Sequence, residues 1–346
     1  MEASRGEREV KGEMCKQGSV LIGVLWSLFF LSALAAALYA SIAPQIGLVE
    51  RLKDRPRLSC LAQAGVQRAR AVLKEDETES YDALNDAWAD NEEAFREIDL
   101  GDEGYFSVSY EAGDGSSPDE EIRYGLIDEE RKLNVNKASF EVLKQFFESV
   151  GEATAQEAAD IADAILDWVD TDDEPRENGA EEGYYASLQP AYPCKNKEFQ
   201  VVEELLLVKA MTQEVFDKVK EYVTVYSSGT VNLNTAGKPV LQALGMSGIL
   251  AEKVLHFRKG PDGKEATEDD NIFESVEAAV NTLSSAESLS PEEIDQLNNA
   301  IGTGLLSVRS DSFQGTSWGM LKDRESSVKI VFIFDREKTI KYWREN

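Results

Sequence analysis

The chain has 346 residues, with 65 acidic against 36 basic side chains and a formal net charge of -29. That excess disfavours nucleic acid and anionic lipid surfaces as partners and favours cations. A hydrophobic content of 42% is enough for folded cores, so the charge belongs to surfaces rather than to wholesale disorder. The length allows one anchor and roughly two folded domains. Three cysteines make no disulfide framework, and a single histidine, His256, supplies no His-based triad. No phosphate-cradling Gly-Lys-Ser/Thr run occurs. The sequence therefore points away from an enzyme and offers no catalytic or organic-cofactor residues.

From Gly18 to Val49 no side chain is charged, a stretch longer than the roughly 20 apolar residues that cross a bilayer. A single membrane span is expected. A cleaved secretory signal would have a shorter apolar core with a small-x-small site at its far end. Here the cleavage-like glycine comes first. A short polar leader ending at Gly18, followed by a hydrophobic helix, resembles the prepilin-type signal of type IV pilin-like proteins. The resemblance implies cleavage between Gly18 and Ser19 by a prepilin peptidase, with possible methylation of Ser19. It also implies an inner-membrane anchor with the bulk of the chain in the periplasm. Arg5, Arg8, Lys11 and Lys16 before the span balance Arg51, Lys53, Arg55 and Arg57 after it, so orientation rests on the leader. The fifth mature position, usually Glu in that family, is Gly23. Removal of the leader leaves Cys60 and Cys194, paired or free.

After the span, Ile46, Val49, Leu52, Leu58, Leu61, Ala69 and Leu73 continue a helical stripe that Pro44 and Pro56 should bend or interrupt. "GYFSVSY" and "IRYGLID", separated by the turn-rich "AGDGSSPDE", read as strands, and the alternation from Tyr105 to Tyr110 predicts a half-buried hairpin. From about Asn134 the pattern turns helical. Capping boxes stand at Thr154–Glu157 and Ser290–Glu293, and Ile161, Ile165 and Trp168 form an apolar face. Leu205, Val208, Val215, Val219 and Tyr222 suit two further helices. "LNVNKASFEVL" (Leu133 to Leu143) is echoed by "VNLNTAGKPVL" (Val231 to Leu241), suggesting duplicated helix–hairpin units. The C-terminal segment returns to strand character. The order implies an α+β fold in which a helical domain interrupts a small α/β body.

The most specific chemistry lies in "DWVDTDDEPRENGAEEGYY". Asp170, Asp172, Glu174, Asn178 and Glu181 stand at positions one, three, five, nine and twelve, the oxygen-ligand spacing of a calcium loop, with Asp173 as a replacement for the fifth. Pro175 occupies the position that normally needs Gly, so an irregular calcium loop is expected rather than an EF-hand. With no His or Cys close by in sequence, the donors are all oxygen, and zinc should substitute poorly. A second acidic loop, with Asp262, Asp269 and Asp270, is a further candidate.

"ERKLNVNKAS", "AILDWVDTDDEPRENGAEEGYY", "PAYPCKNKEF", "VNLNTA" and "IKYWRE" together resemble the protein K minor pseudopilins of type II (general) secretion, a group that typically lacks the Glu replaced here by Gly23. The resemblance implies a leader at 1–18, an N-terminal transmembrane and amphipathic helix at 19–73, and a pilin-like α/β body at 74–132 and 305–346. The large inserted α-helical domain at 133–304 would bind Ca2+. It implies a structural role at the pseudopilus tip, packed through N-terminal helices against other minor pseudopilins, with no nucleic acid. Two other readings are a membrane-anchored periplasmic calcium-binding module and a helix-hairpin-helix DNA-uptake protein. The acidic charge weighs against the latter.

Overall fold

The computed structural model describes residues 7–76, 78, 80–112, 121–322, 326–337 and 339–346. The expected turn at 113–120 lies outside the described residues, as do the side chains of 7–19 and 42–52, and with them the surroundings of Gly18 and Ser19. The chain divides into two compact units, one ending at Arg57 and one running from Leu58 to Asn346. Helix α1, Glu7–Glu75, passes through Pro44 and Pro56 without a break, against the expected interruption. Pro56 is solvent-exposed, so water can serve the carbonyl that its ring cannot. Within the first unit, Val20–Ser41 is long and apolar enough to cross a membrane. The hydroxyls of Ser27, Ser32 and Ser41 each donate to a carbonyl three or four residues back, leaving no donor for lipid to satisfy.

The second unit has two hydrophobic cores. The first belongs to the body, which contains the short helix α2, Glu92–Phe95. Strands β1 (Ile98–Asp99), β2 (Tyr105–Val108), β3 (Tyr110–Ala112), β4 (Glu121–Arg123) and β5 (Ile127–Asp128) precede the insertion. Three short strands, β6 (Leu133–Asn134), β7 (Val223–Thr224) and β8 (Val231–Asn232), lie within it, and β9 (Leu306–Ser307), just past its expected end at 304, pairs with β8. Then β10 (Ser312–Met320), β11 (Ser327–Asp335) and β12 (Ile340–Glu345) complete an antiparallel sheet of order β1-β2-β10-β11-β12, with β5 also pairing to β10. The expected hairpin forms only next to its turn, between Tyr110–Ala112 and Glu121–Arg123. β2 is taken into the main sheet by β10, while β3 pairs with β4. Ser107 is buried there because its Oγ accepts from the Glu97 amide at 2.8 Å.

The C-terminal part of α1 lies directly on this sheet. Leu58, Ala62, Val66, Ala69 and Leu73 are buried against it, and Ser317 donates to the Ala62 carbonyl at 2.8 Å. The approach is possible because β10 carries Gly319: a Cβ there would strike the backbone of Leu58 and Ala62. Gly319→Val should destabilise the body by about 3 kcal/mol, the upper range of core overpacking, read as a lower urea midpoint with unchanged slope.

The second core is helical: α3 (Phe140–Ser149), α4 (Ala155–Val169), α5 (Glu182–Tyr185), α6 (Gln213–Val219), α7 (Lys238–Ala243), α8 (Gly248–Arg258), α9 (Ala279–Ala286) and α10 (Pro291–Gly302). Both expected capping boxes form, at α4 and α10. The Leu205–Val208 stretch is a 3-10 turn rather than an α-helix. The sequence echo is a structural duplication. β6 pairs in parallel with β7, and β8 with β9. In each copy the first Asn of Asn-x-Asn accepts from the amide of the second, at 2.9 Å. The second Asn clasps a distant Phe backbone through both amide atoms. Asn136 holds Phe199 at 3.1 and 2.7 Å, and Asn234 holds Phe273 at 3.0 and 2.9 Å. Each clasp closes one acidic loop.

Carboxylates fasten the inserted domain to the body. Asp128, Glu129 and Glu130 are buried between β5 and β6. Asp128 accepts from Thr235 and Asn232 on one side and Ser310 on the other. Glu130 accepts from the amides of Ser228 (2.9 Å) and Ser312 (3.0 Å), and Glu129 from Thr224 and Lys132. Beside them the buried Asp82 pairs with Arg336. Burial raises Asp82 to about 7 against the opposing pull of Arg336, and raises Glu130 to about 8 with the Asp128 charge adding to it. Folded-state values above the unfolded ones mean that the folded chain holds extra protons. Their stabilisation is complete below about pH 4 and is lost as pH rises through about 7 to 8. The melting temperature should fall from pH 5.5 to pH 8.5, and Glu130→Gln should flatten the upper part of that decline.

Candidate metal centre

Helix α4 buries Ile161, Ala162, Ile165 and Trp168, which carries Asp163 and Asp167 into the domain on adjacent turns. These two carboxylates pin the acidic loop that follows. Asp167 accepts from the Arg176 amide at 3.1 and 3.3 Å, and Asp163 accepts from the Asn178 amide and side chain at 3.1 and 3.0 Å. Gly179 passes so close to Asp167 that a Cβ would collide with its carboxylate. From outside, Lys209 donates to the carbonyls of Asn178 and Gly179. The returning chain delivers Glu181 at the start of α5, where Tyr185 packs edge-on against Trp168 at 5.0 Å.

The result is a convergence of Asp167, Asp170 and Glu181, with carboxylate oxygens within 4.8 Å of one another. Asp167 is fully buried and Glu181 is 5% exposed. Neither oxygen of Glu181 has a hydrogen-bond partner, nor does Asp170 Oδ1, and Asn196 Oδ1 is likewise buried without a donor. Burial, reinforced by the Asp167 charge, pushes Glu181 up to about 7. Burial also raises Asp170, with Asp172 adding to it, and raises Asp167 against the Arg176 amide. Arg176 answers Asp167 through its amide and, at 3.5 Å, its guanidinium, but the orphaned oxygens of Asp170 and Glu181 beside a helix C-terminus are costly without further positive charge. All-oxygen donors of this kind suit a hard divalent cation.

Of the residues singled out by loop spacing, Asp170 and Glu181 meet here. Asp172, Asp173 and Glu174 are exposed and outside the cluster. Asp172 accepts from the Glu174 amide at 2.9 Å, Asp173 accepts from Asn196, and Asn178 is occupied by Asp163. The loop folds back on α4 instead of circling a central point, because Asp163 and Asp167 hold its backbone. Asp167 is the residue that the spacing missed. Its signal was its place three residues before Asp170, on one helix face.

In the second loop the carboxylates are spent locally. Asp262 accepts from the Lys264 amide, Asp269 from the Asp262 amide and Thr267, and Asp270 from the Ala266 amide and Thr267. Among the described residues they form no convergent group of three. Cys60 and Cys194 are both free thiols, and His256 sits on the surface beside Glu287.

Residues 124–228, which include this centre and the first Asn-x-Asn copy, match the family model "Type II secretion system (T2SS), protein K". The type II secretion system protein K of Pseudomonas aeruginosa is 29% identical over 218 residues, covering 60% of this chain and 62% of the relative. This chain thus matches less than two thirds of that protein's length. The Dickeya chrysanthemi protein K is 34% identical over 126 residues, 34% of each chain. Among solved structures, a chain of the GspK-GspI-GspJ complex from the enterotoxigenic Escherichia coli type 2 secretion system shares the fold. Its TM-score is 0.63 at 16% identity, over 86% of this chain and 99% of that one. The chain is thus similar to type II secretion system protein K over the repeat that carries the acidic cluster, and it shares the fold of that solved chain along most of its length.

Proposed function

We propose that this chain is a minor pseudopilin of a type II secretion system, with a structural rather than an enzymatic role at the pseudopilus tip. In this reading Val20–Ser41 anchors it once in the inner membrane, the bulk lies in the periplasm, and other minor pseudopilins pack against its N-terminal helix. Support comes from α1, which continues from an apolar span into the helix that covers the body sheet. The neighbour of like fold is titled as a complex of GspK with GspI and GspJ. Gly23 leaves the span without the carboxylate that would meet another subunit's amino terminus, which suits a capping position with few copies. Processing at Gly18 by a prepilin peptidase belongs to the same reading. Gly18→Val should block maturation in cells that hold the peptidase, and N-terminal sequencing that still finds Ser19 first would refute it.

The same reading gives the inserted domain a calcium ion held by Asp167, Asp170 and Glu181. The observation that carries it is Glu181, buried with both oxygens unpartnered. When bound, calcium would neutralise the three acids and fix the loop on α4. An ion that binds only the folded state adds about 2.7 kcal/mol at a hundred times its Kd. Chelation should lower the melting temperature of the protein accordingly. Glu181→Gln should remove most of that response, while Asp172→Ala should keep it, because Asp172 faces solvent. Equal melting with calcium and with excess chelator would overturn the assignment.

A further inference from the structure

The body sheet has two faces, and α1 covers one of them. On β11, Ile330, Phe332 and Phe334 point into the body core. Val331 and Ile333 between them therefore face the other way, toward the inserted domain. Neither belongs to either hydrophobic core, and the same holds for Ile127, Tyr226 and Tyr342. These apolar groups line a cleft of about 850 Å³ between sheet and insertion, within the Leu58–Asn346 unit. Phe216, Val223 and Val240 line it from the insertion. Beside it sheet and insertion touch, where the Tyr226 and Tyr342 rings meet at 5.9 Å and Lys341 donates to the Tyr226 carbonyl at 2.8 Å. A cleft of this size at the junction of two folded parts, with aromatic walls, has the build of a ligand site.

The charges at the cleft do not cancel. Two ion pairs are internal to it, Lys132 with the buried Glu129 at 2.7 Å and Lys220 with Asp217 at 2.8 Å. Three further lining acids, Glu111, Glu203 and Glu221, are exposed, and among the described residues their carboxylates have no hydrogen bond or ion pair. Against them stands one lining base without such a partner among the described residues, the half-buried Arg131. Unanswered carboxylates around apolar and aromatic walls complement a ligand with cationic groups on an apolar body. A basic chain segment with an aliphatic or aromatic side chain has that composition, whereas an acidic segment would meet net repulsion.

We propose that the cleft docks a short polypeptide segment in which an aliphatic or aromatic side chain stands next to lysine or arginine. The apolar side chain packs against Val331 and Phe216, and the cation meets Glu203 and Glu221. Asp167, Asp170 and Glu181 do not line the cleft, so its occupancy and the calcium assignment stand or fall separately.

The test uses the full chain in detergent and the blocked peptide acetyl-Lys-Leu-Phe-Lys-amide, titrated by calorimetry. Saturation at one peptide per chain is expected, with an affinity that falls as salt is added. The same peptide with glutamate for both lysines, and one with serine for both apolar residues, should each bind about tenfold more weakly or worse. Glu203→Lys with Glu221→Lys should weaken binding about tenfold, while Glu274→Lys with Glu277→Lys, at exposed acids outside the cleft, should keep it within about threefold. The two pairs change the net charge equally, so the comparison separates the cleft from the general acidity of the chain. Val331→Trp fills the cleft and should abolish binding, with an unchanged melting temperature reporting the fold. Absence of saturable binding, or equal affinity for the lysine and glutamate peptides, would overturn the proposal. So would an equal loss in the two charge-reversed pairs, or full affinity in Val331→Trp.

Discussion

A buried carboxylate is tolerable only when something answers its charge, and this chain buries several. At the seam between body and insertion the answer is hydrogen bonding. Asp128 collects the hydroxyls of Thr235 and Ser310 and two amide donors, Glu130 collects two backbone amides, and Asp82 adds Arg336. These acceptors reach into both parts at once, so the polar network fixes how the helical insertion sits on the sheet within the Leu58–Asn346 unit. At the end of α4 no such donors arrive at Glu181. The contrast within one molecule separates acids that serve as structural acceptors from acids whose oxygens are left without a donor.

The duplicated scaffold explains why only one of the two acidic loops makes a centre. Both copies use the same Asn clasp, so both loops return to the same place relative to their strand pair. In the first copy α4 is long and presents Asp163 and Asp167 under the loop. In the second, α8 ends in a buried Arg258, which donates to the carbonyls of Leu233 and Ala236 and pairs with Glu265 at 3.1 Å. A guanidinium thus stands within the second copy, and the loop acids turn to closing their own turns. The first loop is also longer, and its return brings in α5 and the Cys194 segment.

Much of this was legible in the chain itself. An uncharged run of span length, two capping boxes and a repeated Asn-x-Asn are local patterns, and local patterns survive folding. Pro56 misled because a helix can carry proline where solvent serves the freed carbonyl. The split of "GYFSVSY" between two sheets depended on β10, more than 200 residues away. Nothing local in "IDEERKL" marks its acids as core; they are buried because hydroxyls and amides from distant segments meet them. Loop spacing located the stretch whose acids converge but chose among them by a rule for a loop that encircles an ion. The real loop is folded over a helix, which promotes Asp167 and leaves Asp172, Asp173 and Glu174 in solvent.

The central claim is that the orphaned oxygens of Glu181 and Asp170 belong to a bound cation. Anomalous X-ray diffraction from crystals grown with calcium tests it most directly. The account predicts a single strong anomalous peak between Asp167, Asp170 and Glu181, absent from crystals of Glu181→Gln. A wild-type crystal with no peak there, and with Glu181 instead protonated or bonded to ordered water, would contradict it.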